Sequence, residues 1–169
     1  MSDFAASPFY ILRETVWLRG GILLFSIAVC DDVVLECADL AKRVENILEK
    51  KRVPALYRQF YTGKDLLNAK ETFDIIFLDI RMPEISGMDL AKLLREKMSG
   101  NLLIFVTSFQ EYVFEAYEVE AFRYLVKPIA QKKLDQVLEQ AIEKLNSEKE
   151  DFLVVSSQRD TKKIWLKNI

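Results

Sequence analysis

Apolar residues are distributed along this chain in two alternating patterns. Short runs rich in apolar residues cover 25–30, 55–61, 73–78, 102–106 and 122–126, and each is followed by apolar residues at helical spacing. Short continuous apolar runs are typical of strands that are covered on both faces. Strand and helix signals that alternate five times indicate parallel strands joined by right-handed crossovers. The sequence therefore predicts an α/β fold with a doubly wound, five-stranded parallel sheet.

Two helices are predicted most clearly, because their apolar residues fall on a single stripe at helical spacing. The first stripe comprises Cys37, Leu40, Ala41, Val44, Ile47 and Leu48, and the second comprises Leu134, Val137, Leu138, Ala141, Ile142 and Leu145. Weaker helix signals cover residues 64–69, 90–98 and 110–118. Pro83 and Gly87 predict a loop before the second of these weaker helices.

Residues 1–25 precede the repeating pattern and form an N-terminal extension, interpreted as a leader or a docking segment. Arg13 and Arg19 precede an apolar run that is too short to span a membrane and has no small-x-small cleavage site after it. We interpret the end of this run as a buried strand and expect no association with membranes. Aromatic residues at positions 4, 9, 10 and 17 could form a short docking helix, and the sequence leaves these alternatives open.

Composition narrows the chemistry that is available to this fold. The 169 residues include 24 basic residues, 26 acidic residues and no histidine, which gives a formal net charge of −2. The absence of histidine excludes Ser-His and Cys-His nucleophiles, an imidazole base and His-ligated metal sites. The near-neutral charge argues against a surface that coats nucleic acid. Cys30 and Cys37 are too few for a disulfide scaffold, which favours reduced interior thiols and a cytoplasmic location.

Polar residues follow four of the five predicted strands. They are Asp31 and Asp32 after the first strand, Asp79 after the third, Thr107 after the fourth, and Lys127 with Pro128 after the fifth. The carboxyl ends of parallel strands gather at one edge of a sheet, beside the point where strand order reverses. Clustered carboxylates repel one another unless a divalent cation neutralises them, and Mg²⁺ suits a few carboxylates plus water. The pattern favours phosphoryl transfer to a carboxylate, with a metal and a lysine absorbing the developing charge.

These residues resemble the receiver domain of bacterial two-component response regulators. The resemblance rests on Asp31-Asp32, the segment 78–88 (LDIRMPEISGM), Thr107 and Lys127-Pro128. It covers residues 26–147 and implies a flavodoxin-like or CheY-like (βα)5 fold with strand order 2-1-3-4-5. It also implies a sensor histidine kinase as phosphodonor, so the histidine that this chain lacks is expected on the partner.

The resemblance implies an acceptor and a metal site. Asp79 is expected to be the phosphoacceptor that forms an acyl phosphate. Mg²⁺ is expected to be ligated by Asp32, Asp79 and the backbone carbonyl of Arg81, with Asp31 acting mainly through a bound water.

The resemblance also implies a switch. Lys127 is expected to pair with the phosphoryl oxygens, aimed by a cis peptide bond before Pro128. Thr107 would move toward the phosphoryl group and Tyr124 would swing inward behind it, which is a two-state response to added charge.

Arg81 and Phe109 flank the expected phosphoacceptor, two residues after Asp79 and two after Thr107. A bulky aromatic side chain at this place could shield the acyl phosphate from water. We therefore hypothesise slow self-dephosphorylation.

The chain after the receiver-like part resembles the start of a DNA-binding domain. Residues 109–129 are similar to receivers that are attached to LytTR-type DNA-binding domains, and residues 148–169 to a linker and the opening strands of such a domain. Residues 151–169 predict two short strands around a polar turn at 156–161, and the charged segment 144–151 predicts a linker. A complete domain needs roughly 100 residues, so promoter DNA is expected as a partner only through the missing part of the output domain.

Self-association and two other functions remain open. In receivers the surface of helix 4, strand 5 and helix 5 commonly mediates dimerisation, which would permit a homodimer here.

One alternative function is a Mg²⁺-dependent phosphohydrolase with an aspartyl-phosphate intermediate, but such enzymes usually have an acid/base aspartate where this chain has Arg81. The other is a pseudo-receiver that is not phosphorylated, which the full set of acceptor-site residues disfavours. We expect a phosphoacceptor switch rather than an enzyme.

Overall fold

The backbone alternates between strands and helices along most of its length. The structure is a computed structural model that describes residues 9–12, 15–18, 23–97, 100–150, 152–157 and 160–165, with side chains described for 24–97 and 100–147. The strands are β1 (Phe9–Leu12), β2 (Thr15–Leu18), β3 (Leu23–Cys30), β4 (Ala55–Phe60), β5 (Ile75–Leu78), β6 (Leu102–Thr107), β7 (Arg123–Val126), β8 (Phe152–Ser157) and β9 (Asp160–Trp165). The helices are α1 (Val34–Lys50), α2 (Gly63–Leu67), α3 (Gly87–Lys97), α4 (Val113–Glu118) and α5 (Gln131–Glu150).

Five strands, β3 to β7, form the parallel sheet that the sequence predicts. β3 lies between β4 and β5, and β6 and β7 follow in turn beyond β5. Numbered from β3, this order is 2-1-3-4-5, as the resemblance implies. The predicted α/β fold class is therefore confirmed.

Two hydrophobic cores lie on opposite faces of this sheet. On one face, alternate residues of β3, β5 and β6 pack against α1 and α5, and both predicted helical stripes are buried there. On the other face, the intervening strand residues pack with α2, α3 and α4. Every residue of β5 and β6 is buried, because these central strands are covered on both sides.

Both ends of the chain differ in part from the expectation. β1 and β2 pair antiparallel, and β2 pairs with the first residues of β3, so the backbone that is described near the N-terminus is a strand hairpin rather than a docking helix. β8 and β9 form the antiparallel pair predicted for residues 151–169. Arg159, in the predicted turn, lies outside the described residues.

Helix boundaries also differ from the prediction: α2 ends at Leu67 rather than at 69, and α3 begins at Gly87 rather than at 90. α4 begins at Val113 rather than at 110, and α5 continues to Glu150, through most of the segment that we expected to be a linker. Residues 144–150 contain no proline or glycine, and their lysine and glutamate residues are good helix formers, so nothing local ends the helix. Met98, inside the predicted third helix, lies outside the described residues. Among the helices that the structure describes, none has the length and apolar character needed to cross a membrane.

Candidate functional site

Polar residues gather at the edge of the sheet where the parallel strands end. They are Asp31 and Asp32 after β3, Asp79 after β5, Thr107 at the end of β6 and Lys127 after β7. The register pairs Cys30 with Leu78, and Thr107 with Val126, so that the residues that follow lie at similar heights. Asp31, Asp79 and Lys127 are in direct contact as a result.

Lys127 is the centre of the site. Its Nζ lies 2.7 Å from Asp31 Oδ2, 2.5 Å from Glu36 Oε2 and 3.4 Å from Asp79 Oδ1. Burial alone would lower the pKa of Lys127, but hydrogen bonds to Asp31 and Glu36 and the charge of Asp79 outweigh it and raise this pKa. The lysine is therefore a fixed positive charge, held among three carboxylates. The peptide bond that joins it to Pro128 is cis.

Asp79 is a buried carboxylate with one oxygen hydrogen-bonded to the backbone. Its side chain accepts a hydrogen bond at Oδ2 from the Arg81 backbone N–H, at 2.9 Å, and Oδ1 faces Lys127. Burial raises the pKa of Asp79, the charge of Lys127 opposes this, and the charge of Asp31 adds to it, so that the net direction is upward. A desolvated carboxylate whose Oδ1 faces a lysine ammonium is suited to nucleophilic attack on a group whose charge that ammonium can neutralise.

A tight turn between β5 and α3 fixes the backbone beside Asp79. The Gly87 N–H donates to the Ile80 carbonyl at 2.7 Å. A Cβ atom on Gly87 would lie 2.0 Å from the Asp79 carbonyl oxygen and 2.8 Å from Ile80 Cα. No side chain fits there, so glycine at the start of α3 allows the helix to approach the acceptor strand.

The donor atoms that the resemblance assigns to Mg²⁺ are only partly assembled. Asp31 and Asp79 converge on one cation, the Lys127 ammonium, whereas Asp32 is half-buried beside Arg81 in an open depression. Among the side chains that the structure describes, no three acidic or cysteine residues are grouped as a metal site. Carboxylate oxygens that already share a cation are nevertheless the donor type that suits Mg²⁺.

Thr107 and Tyr124 lie behind the acceptor. Thr107 is fully buried, and its Oγ1 accepts a 3.5 Å hydrogen bond from the Phe109 N–H. Tyr124 is half-buried, its ring lies 6.0 Å from that of Phe105, and its hydroxyl donates to the Phe109 carbonyl at 2.5 Å. Burial and the nearby charges of Glu111 and Asp79 raise the pKa of Tyr124 to about 12. Both side chains are therefore tied to the loop after β6.

Arg81 and Phe109 form a stacked pair above the site. The Arg81 guanidinium carbon lies 3.8 Å from the centre of the Phe109 ring, and the same guanidinium lies 3.9 Å from Glu111 Oε1. The Phe109 ring also meets the Tyr112 ring edge to face at 6.4 Å. Stacking of this kind stabilises a cation over an aromatic face.

Glu36, which contacts Lys127, was not predicted from the sequence. It does not follow a strand but lies in the first turn of α1, four residues after Asp32. Its position one helical turn beyond the acidic pair was the only available signal. Glu111 and Tyr112, which contact the Arg81–Phe109 pair, were equally not singled out as site residues.

Comparison with known proteins agrees with this fold. A family model described as "Response regulator receiver domain" matches residues 27–139, more than half of the chain. Transcriptional regulatory protein BtsR of Salmonella typhi is 43% identical over 65 residues, which are 38% of this chain and 27% of that protein. Sensory transduction protein LytT of Enterococcus faecalis is 38% identical over 68 residues, which are 40% of this chain and 28% of that protein. Each match spans less than a third of the relative.

Solved structures share the fold over most of the chain. The BeF3-activated receiver domain of DrrB, a Thermotoga maritima protein, superposes with a TM-score of 0.61 at 27% identity, covering 72% of this chain and 99% of that one. The REC domain of AraT, a response regulator from Geobacillus stearothermophilus, superposes with a TM-score of 0.65 at 24% identity, covering 74% and 98%. The strand order of the sheet and the family match agree, and the chain belongs to the response regulator receiver domain family.

Proposed function

We propose that this receiver accepts a phosphoryl group on Asp79 from a histidine kinase and thereby controls an attached output domain. The observation that carries the proposal is the contact of Asp79 Oδ1 with the Lys127 ammonium, beside the buried Asp31. A nucleophilic oxygen and the cation that would neutralise the incoming phosphoryl group thus lie 3.4 Å apart.

The geometry supports one oxygen of Asp79 as the attacking atom. Oδ2 accepts the Arg81 N–H, whereas Oδ1 faces Lys127. In the proposed step Oδ1 forms a bond to the phosphorus of a phosphohistidine, the phosphorus–nitrogen bond breaks, and the electron pair leaves with the imidazole. The products are an aspartyl phosphate and a free histidine on the kinase. Lys127 would neutralise charge on the phosphoryl oxygens throughout.

The residues present fit Mg²⁺ as a cofactor. Asp32, Asp79 and the Arg81 backbone carbonyl would hold the ion directly, and Asp31 would hold it through water. Bound there, Mg²⁺ would neutralise the clustered carboxylates and the phosphoryl oxygens. The contact of Asp31 and Asp79 with a shared ammonium supports this assignment, because it shows that their oxygens can serve one cation.

The signal would leave the site through the loop after β6. A phosphoryl group on Asp79 offers new acceptor oxygens to the Thr107 hydroxyl, which now accepts from the Phe109 N–H. Movement of Thr107 would shift this loop, and Tyr124 is bound to the same loop through the Phe109 carbonyl. The proposed output is therefore a change in the surface of α4 and β7.

The proposed output is transcriptional and the proposed location is cytoplasmic. The names of BtsR and LytT, a transcriptional regulatory protein and a sensory transduction protein, support a receiver of the LytTR type. We propose that residues 26–147 form the receiver and that residues 148–169 lead into a DNA-binding domain, through which promoter DNA would be bound.

We further propose that the face of α4, β7 and α5 mediates a homodimer. Phe114 and Tyr117 of α4 are highly exposed and support this surface.

Incubation with a small phosphodonor and Mg²⁺, followed by intact mass measurement, tests the function. We expect a single phosphate adduct in the parent protein and in Asp135→Asn, which removes an exposed carboxylate of α5. Asp79→Asn should show no adduct. Continuous release of phosphate without an adduct would instead indicate a phosphohydrolase, and no reaction would indicate a pseudo-receiver.

A further inference from the structure

Glu36 makes the shortest contact to Lys127 in the site. Its Oε2 lies 2.5 Å from Nζ, compared with 2.7 Å for Asp31 and 3.4 Å for Asp79. An ammonium has three N–H donors, and two of them are directed at Asp31 and Glu36. Asp79, the proposed phosphoacceptor, therefore makes the longest of the three contacts with the Lys127 ammonium.

The place of Glu36 on α1 makes its contact with Lys127 easy to break. The Glu36 side chain is 49% exposed, whereas that of Asp31 is 4% exposed. A half-exposed carboxylate keeps much of its hydration, so that an ion pair with it is modest in strength and reversible. Asp31 lies inside the site, but Glu36 reaches it from the first turn of a neighbouring helix.

We infer that Glu36 is a positioning residue that draws Lys127 toward α1 and away from Asp79, and so slows phosphoryl acceptance. The inference rests on the proposed function, in which the ammonium neutralises charge on the incoming phosphoryl oxygens. That neutralisation strengthens as Nζ approaches Asp79 Oδ1. Removal of the Glu36 carboxylate should therefore speed phosphorylation. It should also lengthen the life of the acyl phosphate, because Lys127 then pairs with the phosphoryl oxygens without a competitor.

Glu36→Gln tests the inference, because it keeps the size of the side chain and removes its charge. The rate of adduct formation with acetyl phosphate and Mg²⁺ should rise roughly two- to fivefold, the range expected for a half-exposed ion pair. The adduct should also decay more slowly after the donor is removed. Glu49→Gln makes the same change near the far end of α1 and should leave both rates as in the parent.

Glu36→Asp separates contact from charge. It keeps the negative charge but shortens the side chain by one methylene, which moves the carboxylate away from Lys127. If Glu36 holds Lys127 by direct contact, this hold should weaken, and the rate of adduct formation should rise as in Glu36→Gln. Suppose that adduct formation is faster than in the parent in Glu36→Gln but not in Glu36→Asp. The effect would then come from the negative charge of residue 36 at a distance rather than from its contact with Lys127, which would overturn the inference. An equal gain in Glu49→Gln would do the same.

The outcomes also distinguish this inference from the proposed function. A parent protein that takes up no phosphate overturns the proposed function and the inference with it. A parent that is phosphorylated, beside a Glu36→Gln protein that reacts equally fast or more slowly, overturns the inference alone.

Discussion

At the scale of the single residue, burial of the Asp79 side chain opposes its negative charge. Burial raises the pKa of its carboxyl, Lys127 and the Arg81 N–H lower it, and Asp31 raises it further, with a net rise. The folded protein therefore holds a proton on Asp79 more tightly than the unfolded chain does. Stability linked to this group is fully present below the ordinary carboxyl pKa and is lost as the pH rises through the raised one. At neutral pH the ionised Asp79 destabilises the fold.

Asp79→Asn should consequently stabilise the protein. We expect its Tm at neutral pH, with a chelator present, to exceed that of the parent by a few degrees, since about 1 kcal/mol shifts Tm by roughly 2–4 °C at this chain length. The difference should narrow as the pH falls to about 3, below the ordinary carboxyl pKa of about 3.9, where the carboxyl is protonated in both states. Glu143→Gln, an exposed change on α5, should have no effect. Thermal unfolding followed by circular dichroism measures this, and a lower Tm for Asp79→Asn at neutral pH would contradict it.

The stacked pair of Arg81 and Phe109 should protect the acyl phosphate from water. Phe109→Ala removes the ring on which the guanidinium lies, and we expect the phosphate to be lost several-fold faster once the donor is removed. Arg81→Ala should act in the same direction. Because the two side chains are in contact, the double variant should lose phosphate more slowly than the product of the single effects predicts.

Leu56→Ala is the control for this measurement, because Leu56 is an exposed apolar residue of β4, which lies on the other side of β3 from β5, β6 and β7. Intact mass against time gives the decay rate of each adduct. Loss of phosphate at the parental rate in Phe109→Ala would remove the support for shielding.

Among the elements, the turn from β5 to α3 leaves no room for a side chain at Gly87. Gly87→Ala would place a methyl group 2.0 Å from a backbone oxygen, which only movement of α3 or of the acceptor strand could relieve. We expect a loss of more than about 3 kcal/mol in the free energy of unfolding, or failure to fold. Gly100→Ala meets no atom within 4 Å and strains only a backbone with φ +91°, so about 1 kcal/mol is expected. Urea denaturation of both variants measures the difference, and equal losses would contradict the steric argument.

Strands and helices could be predicted from the sequence where the apolar pattern of the segment itself indicates them, and they were missed where it does not. The runs that became β5 and β6 are apolar throughout, and the stripe on α5 is regular, so burial follows from the pattern itself. The end of α5 was placed too early, because a charged, apolar-poor segment can be either a linker or an exposed helical turn. The pairing of β2 with β3 joins residues that are close in sequence, such as Trp17 and Leu23, and it was missed because residues 1–25 were treated as an extension outside the repeating pattern.

The candidate site shows the same division. The strand-end residues follow from the strands, whereas contacts between distant segments do not. Arg95 of α3 donates to the carbonyls of Val119 and Glu120 and holds the end of α4. Nothing in the sequence distinguishes this arginine from the other charged residues of the predicted helices. Glu36 was missed for the same reason, since its partner Lys127 lies 91 residues away.

In the molecule as a whole, the parallel sheet and the helices on its two faces hold the site. Among the side chains that the structure describes, both core clusters are drawn from residues 25–145, and the last of these, Leu145, lies on the buried stripe of α5. The site residues lie inside the same range. Folding and phosphoryl acceptance should therefore both belong to this part of the chain.

Two fragments test this independence. Residues 23–147 contain β3 to β7 and both cores, so we expect this fragment to unfold cooperatively and to take up phosphate at the rate of the full chain. A fragment of residues 23–138 ends before Ala141, Ile142 and Leu145, and so exposes the core face that they cover. Burying three such side chains contributes several kcal/mol, comparable with the whole stability of a domain, so this fragment should not fold. Circular dichroism melts and intact mass after phosphorylation give both readouts. A stable 23–138 fragment, or a 23–147 fragment that cannot be phosphorylated while the full chain can, would show that the ends contribute to the fold or to the site.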